Sequence, residues 1–159
     1  GGVFYGREAF DPQMILAQIV AVQCLFYMTN GLSYFCVDAI MGVPISLDQI
    51  LTSKPYDNMS TRLAWASIFA VFVNVAGQIG ALMWVVERAK KCLDFAVTAF
   101  ILHVCVCCYY YGLPQHWEWW GCHIAALVLT VLLGEYACAQ LEMRQIPIRR
   151  SLTDNTLNK

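Results

Sequence analysis

The residue types that could carry chemistry are few, and most sit in apolar surroundings. His103-x-Cys105-x-Cys107-Cys108 strings together metal-ligand types. On a helix such consecutive ligands diverge around the axis, and no paired CxxC or HExxH pattern accompanies them. His103 and His123 could in principle share a metal or a haem. Their segments place His103 in the half nearest the 87–94 loop and His123 toward the opposite end of the next segment. That separation argues against a common ligand, so both are expected as helix-contact histidines. Glu135 interrupts an apolar run and has three readings: a catalytic carboxylate, a proton relay, or an ion-pair partner for Arg88 or Lys91. The last needs only reach across one hairpin end and is preferred. Asp38 has Arg62 as its one obvious basic partner. No Ser/His/Asp set or Gly-rich phosphate loop occurs, so neither enzymatic activity, a cofactor nor a metal is expected. A formal charge of −1 and a pI near 6.3 make nucleic acid an improbable partner.

The chain has eight cysteines. Cys24, Cys105, Cys107 and Cys138 fall within apolar runs, where thiols act as small hydrophobes. Cys36, Cys108 and Cys122 would lie near one interface, but their spacing does not support a disulfide. Cys92, beside Lys91, has the setting of a palmitoylated cysteine; an unmodified interfacial thiol is the preferred reading.

These residues must be positioned by membrane helices. The 159 residues are 59% hydrophobic and 13% charged, with mean hydropathy +0.55, whereas a soluble domain is usually about 45–50% apolar and about 25% charged. Four runs approach or exceed the roughly 20 residues that span a bilayer: Met14–Ile40, Leu63–Val86, Phe95–Leu113 and Trp119–Leu141. The runs lack the alternation of a spanning barrel. The first run is expected as a retained anchor, being too long for the core of a cleaved signal. The expectation is an all-α membrane protein with helices at about 13–40, 63–86, 95–112 and 118–140. Residues 1–147 form the transmembrane domain, and 148–159 a polar cytosolic tail.

Local signals set the boundaries. Asp11-Pro12 reads as N-cap and first helical residue. Gln23, Asn30 and Asp38 share one sector of helix one and should face other helices, and Asn30-Gly31 could bend it. Ser46-Leu-Asp-Gln49 reads as a capping box, Lys54–Asp57 as a turn, and Asp94 as the N-cap of helix three. Asn58-Met59-Ser60 is a glycosylation sequon, expected unmodified so close to helix two. Asn74 and Gln78 lie on one face among Ala70, Gly77, Gly80 and Ala81, the composition of a close helix–helix seam. Tyr109-Tyr110-Tyr111 and Trp117, Trp119, Trp120 surround one turn and mark a membrane–water interface.

Orientation follows from Glu87–Asp94, a charged island holding Arg88, Lys90 and Lys91. A short basic loop between spans stays cytosolic. Both termini are then cytosolic with Arg7, Arg144, Arg149, Arg150 and Lys159, and only Lys54 and Arg62 lie opposite.

Several stretches look familiar together: Phe10-Asp-Pro, Ile15-Leu-x-Gln18, Ser46-Leu-Asp-Gln49, Lys91-Cys-Leu-Asp-Phe95, Trp119-Trp120, Gly134-Glu-Tyr-x-Cys138, and Glu142-Met with Ile146-Pro147. They resemble the Sys-one family of Golgi membrane proteins, in the family's order, from residue 10 to 147. The resemblance implies four spans with cytosolic ends and no catalysis. It also implies a trans-Golgi receptor for an Arf-related small GTPase with an acetylated N-terminus, for which membrane lipids are the setting. The Cys105–Cys108 run and the first loop depart from the pattern, and no function is carried onto them. The expected partner-binding rim is Arg88, Lys90, Lys91 and Asp94 with Glu135, Glu142 and Arg144. The competing class is a small transporter or channel, in which Asn30, Asp38, Asn74 and Gln78 line a path. A continuous polar route from Asp38 to Glu135 would favour it.

Overall fold

The computed structural model describes the backbone of residues 12–86 and 89–157, and the side chains of residues 12–86 and 91–143. The expected cap Asp11 and the basic residue Arg7 therefore lie outside the described residues. Helix α1 spans Pro12–Met41, α2 Leu47–Leu51, α3 Arg62–Val85, α4 Ala89–Tyr110 and α5 Trp117–Leu157, with a 3₁₀ turn at Lys54–Asp57. Four of these helices are long and apolar enough to cross a membrane. No strand occurs among the described residues. The protein is an all-α membrane protein with four spans.

Helix ends follow local chemistry. Pro12 opens α1. The helix closes at Met41 because Gly42 takes φ 66° and Val43 N–H donates to the Asp38 carbonyl at 3.0 Å, a Schellman ending. It runs unbroken through Asn30-Gly31. Ser46 caps α2, its hydroxyl accepting from Asp48 N–H at 3.2 Å. The reciprocal half of the box is replaced: Gln49 Nε2 donates to the Pro44 carbonyl at 3.0 Å. Thr61 caps α3 through Ala64 N–H.

Two boundaries differ from expectation. Helix α4 begins at Ala89, so Asp94 is an interior residue and not a cap. Ala89, Lys90, Lys91 and Leu93 are good helix formers and no Gly or Pro stands among them, so the helix starts at Ala89. It stops at Tyr110, two residues before Gly112, which has φ 105°. Helix α5 does not end near Gln140 but continues to Leu157. No Gly or Pro stands between Gln140 and Pro147, whose missing N–H removes one backbone hydrogen bond.

Spans consecutive in sequence run antiparallel, so α3 and α5, and α1 and α4, are parallel pairs. Helix α1 packs mainly on α3, α3 on α5, and α5 on α4. The ring closes loosely between α4 and α1. One apolar cluster, including Val22, Leu82, Val86, Phe95 and Val131, fills the end that carries the 86–89 connection. A second cluster around Tyr56, Cys107 and Trp119 fills the end that carries the 110–117 turn.

Candidate functional site

The α1–α3 seam is organised by Thr29. Its hydroxyl lies 2.8 Å from Asn74 Oδ1 and accepts from Gln78 Nε2 at 3.0 Å. Asn74 and Gln78 are 6% and 7% exposed, facing helices and not lipid. A Cβ on Gly77 would stand 2.7 Å from the Thr29 Cβ, so only glycine allows this approach. Asn30, Asn74, Gln78, His123 and Thr130 bring polar atoms to a small central cavity of about 50 Å³. Sequence reasoning singled out Asn74 and Gln78 but not Thr29, their hub. The signal was its place at helical spacing from the buried face of α1, beside a glycine-bearing seam.

Asp38 is fully enclosed, and neither carboxylate oxygen has a hydrogen-bond partner among the described residues. Arg62 is exposed and does not pair with it. The Tyr56 hydroxyl is likewise enclosed without a partner, and burial pushes the Tyr56 phenol well above its ordinary pKa. Outside the spans, Lys54 pairs with Asp48 at 3.0 Å, and this bond raises its pKa. Lys54 also sits 4.3 Å above the Tyr111 ring. His116 Nε2 lies 2.7 Å from Asp57 Oδ1. Together these contacts tie the 41–61 segment to the 110–117 turn.

The two histidines are not separated. The His103 and His123 rings stack at 5.7 Å with an interplanar angle of 18°. Trp119 stacks on His123 at 4.0 Å. Counting outward from the turn explains it: His103 stands seven residues before the end of α4, and His123 six residues after the start of α5. At about 1.5 Å per residue their depths nearly match. Both His103 nitrogens are engaged, with the Tyr27 hydroxyl at 3.3 Å and the Cys107 sulfur at 3.6 Å. His123 Nδ1 donates to the Trp119 carbonyl at 2.9 Å. Stacked rings do not aim their lone pairs at one point. Among the described residues no group of three or more His, Cys, Asp or Glu is placed to hold a metal. Trp119 is itself corrected: it is fully buried, whereas Trp117 is 88% and Tyr109 95% exposed.

At the 86–89 end, Lys91, Asp94, Phe95 and Thr98 share one face of α4 and look toward α1. Cys92, about 100° around the helix, faces α5 instead. It is fully buried with its sulfur 3.3 Å from that of Cys138, so the setting of an interfacial palmitoylated thiol does not hold. Glu135 and Glu142 of α5 lie within electrostatic reach of Cys92. The expected pairing of Glu135 with Lys91 is absent among the described residues, because Lys91 leaves α4 on the side away from α5. Arg88 lies outside the described residues. Lys90 and Arg144 stand on α4 and α5, their side chains outside the described set. None of the eight cysteines is in a disulfide, which sets aside a bridge among Cys36, Cys108 and Cys122.

Comparison with known proteins agrees with the motifs. Residues 5–148 match the family model SYS1, described as "Integral membrane protein S linking to the trans Golgi network". The Protein SYS1 homolog of Nematostella vectensis is 38% identical over 144 residues, 91% of each chain. The Dictyostelium discoideum homolog is 29% identical over 148 residues, 93% of this chain and 63% of that one. Protein SYS1 of Saccharomyces cerevisiae is 22% identical over 153 residues, 88% and 69% of the two chains. No solved structure matches the chain. A four-span helical bundle matched over nearly its whole length by this family's model belongs to the SYS1 family of integral membrane proteins of the Golgi.

Proposed function

We propose that the protein is a non-enzymatic receptor of the trans-Golgi network. It recruits an Arf-like small GTPase with an acetylated N-terminus through the 86–89 end, which faces the cytosol. The recognition rim is Lys91, Asp94, Glu135 and Glu142, with Arg88, Lys90 and Arg144 beside them in sequence. The family description, linking to the trans Golgi network, supports the place of action.

The observation that carries this reading over a transporter is the break in the polar route. Asn30, Asn74, Gln78 and Thr130 gather in the middle of the bundle. Val22, Leu82 and Val131 pack between them and the charged end. Helix α5 comes close enough to α3 there that a Cβ on Gly134 would stand 3.3 Å from Leu82 Cδ1. Ions and polar solutes cross such an apolar plug only at high cost, whereas a receptor needs no passage. A partner's amphipathic helix can lie against a charged rim at the membrane surface. Affinity capture of the tagged protein from Golgi membranes tests it. Co-elution of an Arf-like GTPase is expected; its absence, with the receptor intact, would contradict the assignment.

A further inference from the structure

A second cavity, of about 240 Å³, lies between α1 and α4 at the 86–89 end. It is many times larger than a single water requires. Ile15 and Ile19 of α1 line it, with Lys91, Asp94, Phe95 and Thr98 of α4. This is the seam where the helix ring closes loosely. The apolar run of α4 begins at Phe95, directly after the charged Lys91 and Asp94, so the cavity opens where hydrocarbon gives way to headgroups. Phe95 is buried, Lys91 half-buried and Asp94 exposed at the mouth. Lys91 and Asp94 share a face and carry opposite charges. Yet neither makes an ion pair, with the other or elsewhere, among the described residues. Apolar walls below and two unpaired opposite charges above complement a molecule that is dipolar at one end and hydrocarbon at the other.

We propose that this cleft holds one membrane glycerophospholipid of the phosphatidylethanolamine class. The phosphate meets the Lys91 ammonium, the primary ammonium meets the Asp94 carboxylate, and Ile15, Ile19 and Phe95 line the first part of an acyl chain. The class follows from the charges. A choline headgroup has no N–H to donate to Asp94. A serine headgroup adds a carboxylate that Asp94 repels. The site shares Lys91 and Asp94 with the proposed GTPase rim, but lipid retention by the purified protein needs no GTPase, so either reading can fail alone.

The test is native mass spectrometry of the purified full chain, offered equal amounts of phosphatidylethanolamine, phosphatidylcholine and phosphatidylserine with the same acyl chains. The wild type retains ethanolamine lipid over choline lipid by roughly 1.4-fold to fivefold, the range of one exposed charged pair. Asp94→Asn removes that preference. Lys91→Gln lowers both. Equal retention by the wild type overturns the proposal without any variant. So does a preference that survives Asp94→Asn, or phosphatidylserine retained above both, which signals surface charge alone. Displacement of the lipid by soluble phosphoethanolamine would assign the site to a free phosphate compound and overturn the membrane source.

Discussion

Gly77 of α3 faces Thr29 of α1 so closely that a Cβ at position 77 would stand 2.7 Å from the Thr29 Cβ. The same threonine takes hydrogen bonds with Asn74 and Gln78, one turn apart on α3. Steric fit and polar pairing thus coincide in one seam, buried from lipid. Neither group alone would fix the register: the glycine permits approach, and the amides select the facing residue.

Gly77→Ala should therefore destabilise the bundle by about 1–3 kcal/mol, the cost of forcing a methyl into a packed contact. Gly80 has nothing within 4 Å of its would-be Cβ. Gly80→Ala should be neutral or stabilising by up to about 1 kcal/mol through helix propensity. Thermal unfolding in detergent compares them; equal effects at both positions would contradict the seam.

Trp119 is fully buried in the stack with His123, and Trp117 is 88% exposed two residues earlier. Trp119→Ala is expected to cost about 3–5 kcal/mol, as for other core aromatics. Trp117→Ala should change stability by about 0.5 kcal/mol or less. The reverse ranking in unfolding midpoints would show that Trp117 is the anchor.

Asp38 is enclosed without a hydrogen-bond partner among the described residues, and Arg62 stands apart from it. A buried carboxyl without partners costs free energy, so Asp38→Asn should leave stability unchanged or raise it by about 1 kcal/mol. Arg62→Gln should do nothing measurable. If both substitutions destabilise equally, and the double variant no more than either, an Asp38–Arg62 pair exists and this reading of Asp38 fails.

The four spans were legible because each apolar run approaches or exceeds the bilayer requirement and ends in recognisable chemistry. Pro12, Ser46 and the turn at Lys54–Asp57 act as their residue types suggest. The face of Asn74 and Gln78 was legible from helical spacing among small residues. What failed was depth and azimuth. His103 and His123 were placed apart because distance was judged from segment labels and not counted outward from the shared turn. Glu135 was matched to Arg88 or Lys91 by nearness to one membrane end; Lys91 projects toward α1, and Arg88 lies outside the described residues. Asp94 has the residue type of a cap, yet the helix-forming run before it extends the helix past it. Trp119 looks identical in sequence to its interfacial neighbours. Only the histidine partners on α4 and α5 decide that it turns inward.

The most direct test of the receptor assignment follows the GTPase itself in cells. Cells lacking the protein are re-supplied with the wild type or with the Lys90→Glu/Lys91→Glu double variant, after membrane insertion and Golgi location are verified. The Arf-like GTPase should be cytosolic in the deficient cells, return to the Golgi with the wild type, and remain cytosolic with the variant. A GTPase that stays on the Golgi in cells lacking the protein would contradict the assignment outright.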